Sequence, residues 1–194
     1  MKHPSNRELF DYWNERRGER LAPERADIEP AAIRHVLGDT FVIEMGSSEN
    51  HLFRIAGTRL CALFGRELKA ESFLKLWNRT GQTAIRELLA VVMDEKVGIV
   101  ASASGATADD ILAPIKLELL LLPLAFQSRG EARVMGALAP MSAPYWLGAK
   151  AIGPLTLGMF RHIGAAADAQ APLFKAAAGR LRHGLTVYDG GRAG

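Results

Sequence analysis

The residues of this chain that could carry chemistry are few and widely spaced. Cys61 is the single cysteine, and its L-C-A-L setting describes a structural thiol rather than a redox or adduct-forming one. A hydrolase would place a Ser or Cys beside a His oriented by an acid, commonly on a G-x-S-x-G turn, and that motif does not occur. The five histidines, His3, His35, His51, His162 and His183, stand singly, with no H-x-x-x-H or H-E-x-x-H spacing, so no metal site is expected. A haem needs one axial histidine, and only His35 or His51 facing the interior would supply it. Asp109 and Asp110 are adjacent carboxylates, a pattern that solvates a loop or caps a helix sooner than it makes a general acid and base. There is no P-loop and no G-x-G-x-x-G. No catalytic residue, metal or cofactor is therefore expected, and the chain does not read as an enzyme.

Charge is the next resource. The 194 residues carry 24 basic and 21 acidic side chains, a net charge of +3 that is too balanced to indicate nucleic acid. Arg16, Arg17, Arg20 and Arg25 cluster, but Glu15, Glu19 and Glu24 interleave with them, which describes a solvated helix end. Arg54, Arg59 and Arg66 surround an apolar stretch and are the candidate polar contacts of an anionic ligand. Surface ion pairs with carboxylates such as Glu67 are the commoner outcome for such residues.

These side chains need elements to hold them. Ser5 and Glu8 form an S-x-x-E capping box, so a helix is expected from about Asn6 to Arg17, ended by Gly18. Leu9, Phe10, Tyr12 and Trp13 make one side of it apolar; that side either covers the domain's own sheet or forms a dimer or partner face. Leu21 to Arg34 is a connector leading to a short helix after Pro30, with Asp27 and Glu29 placed to cap. Thr40–Met45 and Leu52–Ala56 read as a hairpin across a polar turn at Gly46–Asn50. Thr58 is then a candidate N-cap for a short helix to Phe64, closed by Gly65.

Phe73, Leu76 and Trp77 lie on a short apolar helical segment. Ile85, Leu88, Leu89 and Val92 follow the i, i+3, i+4, i+7 spacing of a helix from Thr80 to Met93. Val97–Ser104, Ile115–Leu122 and Arg133–Ala139 read as strands, with a loop at Ala103–Pro114 and a turn at Ser128–Glu131. Beyond Pro140 prolines and glycines accumulate, Leu173–Leu185 suggests a short helix, and the final YDGGRAG is expected to be disordered. The N-terminus lacks the apolar run of a secretory signal, and no stretch reaches the length of a membrane span; a reducing cytoplasm suits the single cysteine.

The stretch Phe53–Leu68 (FRIAGTRLCALFGREL) passes a strand through Gly57 directly into a short helix. It resembles PAS family 5, as do LAPERADIEP at Leu21–Pro30, LLLLPL at Leu119–Leu124 and VMGALAP at Val134–Pro140. The resemblance implies an α+β fold: a PAS-like five-stranded antiparallel sheet flanked by short helices, with an N-terminal helix in a helical segment over 1–35, the PAS-like domain over 36–140 and a partly disordered extension over 141–194. It implies a non-catalytic bacterial sensory or regulatory module. Flavin-binding PAS proteins that form a cysteinyl adduct carry N-C-R-F-L, and L-C-A-L departs from it. A sheet cupped by short helices leaves an apolar cavity, expected to be lined by Phe53, Ile55, Leu60, Phe64, Trp77, Ile85, Leu89, Leu119, Leu121 and Val134. The expected partners are a second copy or a signalling protein through Leu9, Phe10 and Trp13, and a small apolar or anionic ligand. The alternative is a peripheral membrane or scaffold contact through residues 145–160.

Overall fold

The computed structural model describes residues 1–45, 50–125, 132–164, 180–182 and 185–187. Helix α1 spans Pro4–Arg17 and stops at Gly18, whose φ of 54° favours glycine. Its cap differs from the expected Ser5–Glu8 box. His3 Nδ1 accepts from the Ser5 N–H at 3.2 Å, and proline occupies the first turn, where its missing N–H costs nothing. The Ser5 hydroxyl is thereby released for another partner. Two 3-10 turns follow, at Arg25–Asp27 and Pro30–Ile33.

Strands β1 (Thr40–Glu44) and β2 (Phe53–Ala56) pair antiparallel, and β2 runs into helix α2 (Thr58–Phe64). The cap of α2 is Gly57, with no side-chain bond, so Thr58 does not cap it; Gly65 closes it with a left-handed φ of 65°. A 3-10 turn at Phe73–Leu76 leads to helix α3 (Arg79–Glu95), begun by Asn78, whose Oδ1 accepts from the Gly81 N–H at 2.8 Å. The inward residues of α3 are Ile85, Leu88, Leu89 and Val92, as the spacing requires.

Then come β3 (Gly98–Thr107), β4 (Asp110–Leu124), β5 (Arg133–Pro140) and β6 (Thr156–Ile163). They complete a six-stranded antiparallel sheet of order β2-β1-β5-β4-β3-β6. The expected five strands are joined by β6, which lies in the expected extension and pairs along β3 from Gly98↔Ile163 to Ser104↔Thr156. The Ala103–Pro114 loop is also corrected: β3 and β4 form one long hairpin closing at Thr107↔Asp110, with Ala106 facing the whole of Ile111 to Pro114. Small residues let the strand continue where composition suggested a loop.

A separate pair, β7 (Arg180–Arg182) and β8 (Leu185–Val187), is strand where a helix was expected; Leu173 and Phe174 lie outside the described residues. The final YDGGRAG from 188, most of the Gly46–Asn50 turn and the Ser128–Glu131 turn lie outside them as well.

The sheet has two apolar faces. On the inner one α2, the Phe73–Leu76 turn and α3 cover β1, β3, β4 and β5. On the outer one Leu9, Tyr12 and Trp13 of α1 pack on Val100, Leu120, Leu122, Met135 and Ala137. Trp13 Nε1 donates to the Pro123 carbonyl at 2.8 Å, which pins α1 to β4. Among the described residues no helix is long and apolar enough to cross a membrane.

Candidate functional site

The inner face gathers Phe53, Leu60, Phe64, Trp77, Ile85, Leu89, Leu119, Leu121 and Val134 into one buried cluster. Four rings form its centre, two of which, Phe41 and Phe73, sequence reasoning did not single out as cavity residues. Phe41 and Phe73 lie 5.1 Å apart between centroids, Phe53 and Phe73 5.5 Å, and Phe73 and Trp77 5.9 Å, mostly edge to face as ring quadrupoles prefer. Alternation of the TFVIEM strand would have found Phe41.

The indole nitrogen of Trp77 interrupts this apolar packing. Trp77 is 1% exposed, and its indole Nε1 has no hydrogen-bond partner among the described residues. The contrast is Trp13, whose indole reaches Pro123. An unpaired buried donor of this kind costs about 1–3 kcal/mol. The backbone around Trp77 is fixed: its N–H donates to Leu74 O at 3.1 Å and its carbonyl accepts from Gln82 Nε2 at 3.1 Å.

Ile55 does not join the cluster. The register runs Val42↔Ile55 and then Ile43↔Phe53, so Arg54 is an extra residue and the strand flips between Phe53 and Ile55. Ile55 lies on the outer face, 45% exposed, in an apolar cleft of about 40 Å³ shared with Ile28, Ile33, Val42 and Met135. Leu9 and Trp13 are buried against this chain's own sheet, so they offer no free surface to a second copy, and Phe10 is half-buried beside Trp13.

The three arginines all meet carboxylates. Arg54 Nε lies 2.6 Å from Glu44 and Arg66 Nε 3.1 Å from Glu71, with the Arg66 guanidinium also over the Phe64 ring. Arg59 makes a fork on Asp39, Nε to Oδ1 at 2.9 Å and Nη2 to Oδ2 at 2.7 Å, and these bonds raise the Arg59 pKa further. Glu67 is engaged elsewhere: it accepts from the Lys69 N–H and faces the Cys61 thiol at 3.6 Å. Burial, aided by the Glu67 charge, pushes the thiol pKa up, which favours its protonated form.

Asp109 pairs with Lys150 at 2.9 Å at the hairpin tip rather than with Asp110. Among the described residues no three His, Cys, Asp or Glu side chains are grouped to hold a metal. In the 145–160 segment Ile152 and Leu155 are buried in the inner cluster, leaving Tyr145 and Met159 exposed.

A family model described as a PAS domain, that of PAS family 5, matches residues 1–139. The chain belongs to PAS family 5. PAS domains are generally sensory and regulatory modules without catalysis, and they often dimerise or bind signalling partners. The match to the PAS model takes in α1 and the sheet through β5, save for Pro140, while the added edge strand β6 lies beyond it. No curated protein matches this chain.

Proposed function

We propose that this PAS domain is a non-catalytic cytoplasmic sensor that binds a small ligand on the inner face, with Trp77 Nε1 donating to it. The observation carrying this reading is the buried, unpartnered indole N–H among apolar and aromatic side chains. The chemistry it selects is a largely apolar molecule bearing one acceptor, such as a carbonyl, carboxylate or hydroxyl. The rings fill much of the face, so entry requires Phe73 or its neighbours to change rotamer, and that displacement is the signal. Native mass spectrometry of the purified chain, beside Trp77→Phe, tests it: an extra mass held by the wild type and lost in the variant supports the reading, and apo masses for both oppose it.

The outer cleft supports a second reading, docking of a partner protein. Ile55 exposes an apolar side chain beside Ile28, Ile33, Val42 and Met135, next to the docked α1. Light scattering of the wild type against Ile55→Asp tests it for a second copy: a dimer lost in the variant supports it, and two monomers oppose it. For the membrane or scaffold alternative through residues 145–160, Ile152 and Leu155 are buried while Tyr145 and Met159 remain exposed apolar side chains.

A further inference from the structure

We propose that Asp39 is the positioning residue that couples α2 on the inner face to the first turn of α1 on the outer face. The coupling is a property of the chain itself; its use as a signal rests on the sensory reading above.

Asp39 is 4% exposed and touches three elements. Its Oδ2 accepts from Ser5 Oγ of α1 and from Arg59 Nη2 of α2, each at 2.7 Å. Its Oδ1 accepts from Arg59 Nε at 2.9 Å, and its backbone carbonyl from the Leu138 N–H of β5 at 3.1 Å. One carboxylate, anchored to the sheet, therefore serves two helices on opposite faces.

Helix α2 is stitched to the same segment. Gly57 N donates to Thr40 O at 2.9 Å and Leu60 N to Gly38 O at 3.0 Å. A Cβ at Gly57 would run into the carbonyls of Leu37 and Gly38, so the approach demands glycine. The other side of α2 places Leu60, Leu63 and Phe64 in the inner cluster, so a change of packing there pulls on the segment that carries Asp39.

A second buried carboxylate, Glu118 of β4, holds the same end of α1: it accepts from Lys2 N at 2.7 Å, His3 N at 2.9 Å and Asn6 Nδ2 at 3.2 Å, without contact to α2 among these bonds. Further along, Trp13 keeps α1 pinned to Pro123. A shift of α2 thus strains Arg59, Asp39 and Ser5 in sequence and loosens the first turn of α1 while its second half stays docked.

Amide hydrogen exchange on the full chain tests this without any ligand. Arg59→Met is expected to speed exchange several-fold at Arg7 to Phe10 while leaving α3 unchanged, and Ser5→Ala should do the same. The double variant should go no further than either single, because both act on one carboxylate. Unchanged exchange at Arg7 to Phe10, equal acceleration in α1 and α3, or additive effects would overturn the proposal. The coupling can fail here while ligand binding stands by mass spectrometry, and the reverse, so the two failures are distinguishable.

Discussion

Phe53 and Ile55, two residues apart on β2, face opposite sides of the sheet, because the irregular pairing between Val42↔Ile55 and Ile43↔Phe53 inserts Arg54 between them. The aromatic ring enters the core and the isoleucine is left half in water. Two positions that strict alternation would treat alike thereby carry different energetics.

Phe53→Ala should cost about 3–5 kcal/mol, the usual range for emptying a buried aromatic site. Ile55→Ala should stay within about 1 kcal/mol, as for exposed positions. Urea unfolding of the two variants checks the pair, and equal losses would mean that Ile55 also faces inward.

Trp77→Phe removes the unpaired donor along with some volume. The relief of about 1–3 kcal/mol for the orphaned N–H offsets part of the lost packing. It should therefore destabilise less than Leu89→Ala, for which about 2–5 kcal/mol is expected. Thermal melts of the ligand-free proteins compare them.

Gly57→Ala should destabilise strongly, by more than about 2 kcal/mol, since the added methyl meets two backbone carbonyls that cannot yield cheaply. Gly148→Ala is a weaker case, with open space at the Cβ but a φ of 83° that strains it. Denaturant midpoints should fall in that order.

Asp27 titrates below the ordinary aspartate range, first because it accepts from the Glu24 N–H and then because Arg20 pairs with it. A depressed folded pKa means that its contribution is present above the unfolded value of about 3.9 and is lost as pH falls through the folded one. Asp27→Asn should accordingly lower the melting temperature at pH 6, and the gap to wild type should close as the pH falls through the depressed folded value.

The parts of the fold that could be read in advance were those where pattern and packing agree. Helix α3 follows from Ile85, Leu88, Leu89 and Val92, and the strand-to-helix passage at Gly57 follows from a glycine that the approach of Leu37 requires. Strand β6 was missed because it is an edge whose alternation breaks near Gly158 and Met159, opposite Ser102, and whose prolines and glycines lie just upstream. Residues 105–107 were missed as strand because Gly and Ala carry no β signature; their conformation comes from pairing with β4, Gly105↔Ile115 and Thr107↔Asp110. The inner cluster was legible from apolar spacing, whereas Asp39 was not, since a carboxylate shared by Ser5 and Arg59 depends on chain segments distant in sequence.

Native mass spectrometry of the freshly purified chain, set beside its denatured mass and beside Trp77→Phe, tests the inner-face ligand most directly. An added mass that survives in the native wild type, disappears on denaturation and is absent from Trp77→Phe is the expected result. A native wild type at its bare chain mass, or an added mass that Trp77→Phe retains in full, would contradict a ligand held by the indole of Trp77.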